Sequence, residues 1–83
     1  MRSEESPAQS LGKRIRYARL KRLWTQERLA CESGVGRVTI ARIETGATRP
    51  RVGTVHALAK ALGVKPSSLV PDPGALWPRR GDR

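Results

Sequence analysis

The sequence predicts an all-α fold, a compact bundle of four to five short helices, and three observations predict it. Pro and Gly cut the chain into pieces of helical length. Within those pieces apolar residues recur every three or four positions. No strand-like alternation of useful length appears, and there is no internal repeat.

The elements follow in order. Ser6-Pro7-Ala8-Gln9 has the form of a capping box, with a hydroxyl at the cap, Pro at the first helical position and Gln at the third. Ser10 is an equally good cap, so the first helix starts at one of these two places. Leu11, Ile15, Ala18 and then Leu20 or Arg22 keep a helical period, with basic side chains on the remaining faces. Thr25 caps a second helix, Gln26–Ser33, and Trp24 and Leu29 stand at the spacing of a hydrophobic staple. Gly34 ends that helix because it can take the left-handed conformation of a helix terminus. A third helix, Arg37–Glu44, begins at once. In the loop that follows, Pro50 discourages helix on both sides. Helix resumes over 54–62, where Val55, Leu58, Ala59 and Leu62 form one apolar stripe and Gly63 closes it. Residues 66–70 form one more turn, and Pro71, Pro73, Gly74, Pro78 and Gly81 predict an irregular tail. The organisation is therefore an N-terminal tail or helix extension over 1–9, a domain over 10–70 and an irregular basic tail over 71–83.

Composition narrows the function. The 83 residues suffice for one small domain, and no apolar run approaches the ~18 to 20 residues of a membrane span. The start, Met1-Arg2-Ser3-Glu4-Glu5, lacks the hydrophobic segment of a signal peptide, so a cytoplasmic location is expected. Cys31 is the single cysteine and cannot form an internal disulfide. With the single His56 it cannot fill the roughly four-ligand set of a structural zinc site, and neither metal nor cofactor is expected. Stability must come from a small apolar core that buries about 60% of the unfolded chain's surface.

Lys and Arg number 17 and Asp and Glu 7, a net charge of +10. Such an excess points to a polyanion, with nucleic acid first and an acidic membrane or protein face second. Between residues 10 and 51 stand eleven basic residues against Glu27, Glu32 and Glu44, a local net of +8. Thirteen of the 17 cations are Arg, whose planar fork binds phosphate or guanine bidentately where Lys cannot. On charge alone a merely solvated basic face fits equally well. His56 adjoins the apolar stripe with no Asp, Ser or Cys at catalytic spacing and reads as an exposed helix residue. Cys31, one position past Leu29-Ala30, reads as a bystander. The acidic pairs lack a paired-carboxylate logic and no Gly-rich phosphate loop exists, so no enzyme activity is expected.

Two helices of about eight residues joined by a tight Gly-containing turn make the helix-turn-helix arrangement, which sets its second helix in the DNA major groove. The run Leu11-Gly12-Lys13-Arg14-Ile15-Arg16, then Arg19, Trp24-Thr25-Gln26-Glu27-Arg28-Leu29-Ala30, Gly34-Val35, Ile40-Ala41-Arg42-Ile43-Glu44-Thr45-Gly46, Pro50 and Leu58-Ala59-Lys60-Ala61-Leu62-Gly63-Val64 makes the match specific. In this order the chain resembles the phage-repressor or Cro-type (XRE-like) helix-turn-helix family, roughly over residues 11–70. The resemblance implies a lambda-repressor-like domain. Ala30 is small where two helices cross closely, and Val35, Ile40 and Ile43 turn an apolar face to the core.

The resemblance implies DNA-binding roles for particular positions. Gln26 opens the second helix, where its side chain and the free backbone N–H groups can anchor a phosphate. The third helix would enter the groove with Arg37, Val38, Ala41 and Arg42 outward and Thr39 near the groove wall. Arg37 can pair bidentately with guanine, whereas Val38 suits a thymine methyl. Arg42 reaches a base or a phosphate; the sequence does not decide. Thr45, Arg49 and Arg51 lie in the loop that rests on the phosphate backbone in the family, and Arg14 and Arg16 add more distant charge. In the family the positions of Arg19 and Glu44 form a partly buried ion pair joining the first helix to the end of the third, which implies a structural role for them here.

Three positions depart from the family pattern. Leu23 stands where Gly is frequent, so the first helix must end without an easy left-handed residue. Gly36 replaces the usual Ser or Thr cap of the third helix, a loss of about a few tenths of a kcal/mol. Val38 and Ala41 make the reading face less polar than usual. The functional expectation is a sequence-specific, double-stranded-DNA-binding regulator, a repressor acting as a homodimer, with Val64, Leu69, Val70 and Trp77 as the dimer surface. The rival readings are an antitoxin that binds a toxin partner and represses its own promoter, and an accessory factor that binds nucleic acid without sequence choice.

Overall fold

The computed structural model describes residues 7–70. Over these residues there are five helices and no strand: α1 (Pro7–Lys21), α2 (Gln26–Ser33), α3 (Arg37–Glu44), α4 (Val52–Leu62) and α5 (Pro66–Leu69). α1 packs against α3, α4 and α5, and α2 bridges α3 and α4. The predicted apolar positions meet in one core. Leu11, Ile15, Leu29, Ile40, Ile43, Val55, Leu58, Leu62 and Leu69 are each at most 2% exposed, and a buried side chain of this kind contributes about 1.5–3 kcal/mol. Ala18, Trp24, Ala30, Val35 and Val64 pack against it from the edge.

Local signals set most helix ends. The Thr25 side chain accepts from the Arg28 amide at 3.0 Å and caps α2. Gly34 closes that helix at φ +79°, its amide donating to the Ala30 carbonyl. Of the two starts available to α1, the helix already includes Pro7.

Four expectations need correction. The fourth helix begins at Val52, not at Thr54: Arg51 is its extended N-cap, without a side-chain bond, and Thr54 is already helical. Pro50 constrains the residue before it far more than residues two positions later. The apolar period of α1 does not run to Leu20, which is exposed. Arg22 is exposed as well and lies over the end of α4, its Nε donating to the Leu62 carbonyl at 2.9 Å.

The third correction concerns the end of α1. Leu23 itself takes the left-handed conformation, at φ +59°. The Leu23 amide donates to the Leu20 carbonyl at 2.9 Å and the Trp24 amide to the Arg19 carbonyl at 3.1 Å. This is a Schellman closure, the same one that Gly63 makes after α4 through Gly63 to Lys60 and Val64 to Ala59. For a residue with a Cβ the conformation costs about 1–2 kcal/mol, yet Leu23 is 91% exposed and gains almost nothing from packing. The fourth concerns Leu69 and Val70, which are buried in the domain's own core and offer little surface to a second subunit. Trp77 lies outside the described residues.

Candidate nucleic-acid interface

The site begins with how closely α1 approaches α3. Gly12, in the middle of α1, is buried. A Cβ there would collide with the Ile43 carbonyl oxygen and stand 2.7 Å from that of Glu44, so only glycine lets α1 lie directly on the last turn of α3. The sequence carried a signal for this position, a glycine inside a helical period, but not the reason for it.

About two turns further along α1, Arg19 meets Glu44 side-on. Its Nε donates to Glu44 Oε2 at 2.7 Å and its Nη2 to Oε1 at 2.9 Å, while Nη1 donates to the Trp24 carbonyl at 2.8 Å. Both side chains are less than one-tenth exposed. The hydrogen bonds to Glu44 hold the Arg19 guanidinium above its ordinary pKa, against the opposing effect of burial. Gln26, the first residue of α2, donates from Nε2 to the same Glu44 Oε1 at 3.1 Å. One carboxylate thus ties the end of α1, the start of α2 and the end of α3.

With Ile40 and Ile43 buried, the opposite side of α3 faces solvent. Arg37, Val38, Thr39 and Arg42 are all exposed there, Val38 by 59%, and Ala41 is half-buried between them. Gly36 leads into the helix with an extended backbone at φ −62° and makes no side-chain cap. Arg37 Nε lies 3.8 Å from Glu27 Oε2, a loose exposed pair that a stronger anion can displace. Thr45 is exposed but its Oγ1 donates to the Arg42 carbonyl at 3.1 Å, so its hydroxyl proton is engaged at the helix end. Arg49 and Arg51 are exposed in the loop between α3 and α4.

A second group of arginines was not legible as cross-links. Arg22 and Arg28 each lie 5.0 Å from the Trp24 ring, on the staple residue ahead of α2. Arg28 also pairs with Glu32 one turn on at 2.8 Å. Cys31 and His56 are exposed, and no helix among the described residues is long and apolar enough to cross a membrane.

The arrangement is a helix of eight residues held from behind, with arginines on its free face and on the loop that follows it. Three comparisons bear on it. The model of the helix-turn-helix family matches residues 15–69. The chain is 36% identical over 61 residues to the immunity repressor protein of Bacillus phage phi105, covering 74% of this chain and 42% of that protein. It is 41% identical over 59 residues to the transcriptional repressor RstR of the cryptic phage CTXphi in Vibrio cholerae, covering 71% and 53% respectively. The chain spans about half the length of these curated relatives. Among solved structures, the P22 c2 repressor protein in complex with a synthetic operator superposes with a TM-score of 0.70 at 37% identity, covering 75% of this chain and 94% of that one.

Proposed function

The chain belongs to the phage-repressor or Cro-type helix-turn-helix family, and from that premise we propose that it is a sequence-specific transcriptional repressor that reads the major groove of double-stranded DNA with α3. The observation that carries this reading is the two-sided build of α3. Its inner face is fixed by Ile40, Ile43 and the Arg19–Glu44 pair, while its outer face presents Arg37, Val38 and Arg42 to solvent. A fold match at 37% identity to a repressor whose structure contains operator DNA supports the same docking.

In this reading Arg37 pairs with guanine O6 and N7 and Val38 meets a thymine methyl, each base contact worth ~1–3 kcal/mol. Thr39 lies at the groove wall, and Arg42 takes a base or a phosphate. Gln26 anchors a phosphate at the start of α2: Glu44 holds one of its two amide hydrogens and leaves the other for DNA. Thr45, Arg49 and Arg51 track the backbone, Thr45 by rotating its hydroxyl away from the Arg42 carbonyl. If six or so phosphates are neutralised, log affinity falls against log salt with a slope of about −5. A lone helix-turn-helix covers little DNA, so the active form is a homodimer on two half-sites about one helical turn apart, acting in the cytoplasm by occupying an operator.

The test is selection of bound sites from random DNA, repeated with two variants. Arg37→Ala is expected to relax the base preference at one position of each half-site, and Gln26→Ala to weaken all sequences alike. Unchanged selection and affinity in both variants would sink this docking, and selected sites without a two-fold repeat would sink the dimer.

A further inference from the structure

The flank of α1 turned away from α3 carries a feature that DNA reading does not use. Between α1, the end of α4 and α5 lies an open groove of about 650 Å³, a size at which small-molecule sites are found. Its floor is apolar, built from Ala18, Leu62, Val64 and Leu69, and Tyr17 stands at its edge, 65% exposed. Lys13, Arg14, Lys21 and Arg22 surround it, and among the described residues no acidic one lines it.

The charge at this rim differs from charge elsewhere in the domain. Each of the three described carboxylates lies beside an arginine away from the groove: Glu44 with Arg19, Glu32 with Arg28 and Glu27 with Arg37. The groove arginines bond neutral carbonyls instead. Arg14 Nη1 donates to the Ser68 carbonyl at 3.2 Å and Arg22 Nε to that of Leu62 at 2.9 Å. These bonds hold both guanidiniums in place without a carboxylate among the described residues, and Lys21 Nζ sits 5.4 Å from the Tyr17 ring centre. Ordering the cations before a ligand arrives lowers the entropic cost of binding one.

We propose that this groove binds a small amphipathic anion, an aromatic or alkyl carboxylate whose apolar body lies on Ala18 and Val64 beside Tyr17 and whose head group meets Arg14 and Lys21. Charge selects this occupant. A second copy of a chain with net charge +10 would bring the same cationic rim against itself, and a neutral apolar ligand would leave Arg14 and Lys21 without an anion. The inference stands apart from the docking of α3 on DNA, because its readout is the ligand alone.

The experiment titrates the full chain with phenylbutyrate, phenylbutanol and phenylbutylamine, which share one skeleton and differ in head group, following amide and side-chain NMR shifts. The carboxylate is expected to bind about tenfold more tightly than the alcohol, with the amine weakest and the shifts centred on Tyr17, Val64 and Ser68. Arg14→Glu and Lys21→Glu should each weaken the carboxylate about tenfold, whereas Lys60→Glu, with the same change in net charge on exposed α4 surface, should not. Circular dichroism confirms that each variant remains helical, and Arg14→Gln provides a milder change where Arg14→Glu does not fold. The proposal is overturned by equal binding of alcohol and carboxylate, by equal loss in Lys60→Glu, or by shifts elsewhere. Binding seen only after dilution to monomer, or only after deletion of residues 71–83, would make a second copy or the chain's own tail the occupant and overturn it as well.

Discussion

α1 meets the rest of the molecule along two flanks built on opposite terms. Toward α3 there is no slack: Gly12 admits the Ile43 and Glu44 carbonyls where a methyl group would collide, and Arg19 closes on Glu44 with two short bonds. Toward α5 the same helix stands off, leaving a groove edged by Tyr17 and Lys21 and bridged at Arg14 and Arg22 by bonds to backbone carbonyls. A fifteen-residue helix can thus be rigidly placed on one side and open on the other. Close fit sits where α3 must be held, and open surface sits where α1 packs more lightly on α5.

Substitutions on the two flanks should differ by an order of magnitude in effect. The largest belongs to Glu44→Ala, which strands the buried Arg19 guanidinium and frees Gln26. A loss of about 3–5 kcal/mol is expected, or on the order of 15–30 °C in Tm for a domain of this size. A calorimetric shift of only a few degrees would mean that the pair is solvated and the flank looser than drawn. Gly12→Ala follows, at about 1–3 kcal/mol from overpacking against two backbone carbonyls that have no rotamer to yield; urea unfolding with unchanged stability would contradict the close approach.

The third change reverses sign. Leu23→Gly removes the left-handed penalty at an exposed position and should stabilise the domain by about 0.5–1 kcal/mol after the greater chain entropy of glycine is subtracted. Destabilisation in the same unfolding experiment would show that the Leu23 side chain packs after all. The smallest effect is expected for Tyr17→Ala on the open flank, within about 0.5 kcal/mol. A thermal shift of ten degrees there would erase the contrast between the flanks.

Much of this fold could be read in the sequence because its signals are local. Thr25, Gly34 and Gly63 mark helix ends through bonds to residues three to five positions away, and the stripe Val55, Leu58, Ala59 and Leu62 carries its period in eight consecutive residues. What could not be read depends on partners far along the chain. Arg22 bonds residue 62, Arg14 bonds residue 68, and the need for glycine at 12 arises from carbonyls at 43 and 44. Neither Leu20 nor Arg22 enters the core, and only the end of α4, where Arg22 finds a carbonyl, tells the two apart. The left-handed Leu23 broke a local rule, because the closure bonds of its neighbours outweigh the preference of one residue. The candidate interface was legible as residue types and spacing on a third helix, whereas the restraint of Gln26 by Glu44 and of the Thr45 hydroxyl by Arg42 depends on side-chain contacts in the folded chain.

The single carboxylate of Glu44, shared by Arg19 and Gln26, also bears on how such a protein can diversify. The bonds that tie α3 to α1 and α2 run through Glu44 to Arg19 and Gln26, and Val38, Ala41 and Arg42 take no part in them. The outer positions can therefore be rewritten singly with little consequence for folding, while the buried pair at positions 19 and 44 can change only in concert. A library randomised at 38, 41 and 42 should return mostly folded proteins, and the chassis that carries them would pass unchanged from one recognition sequence to the next.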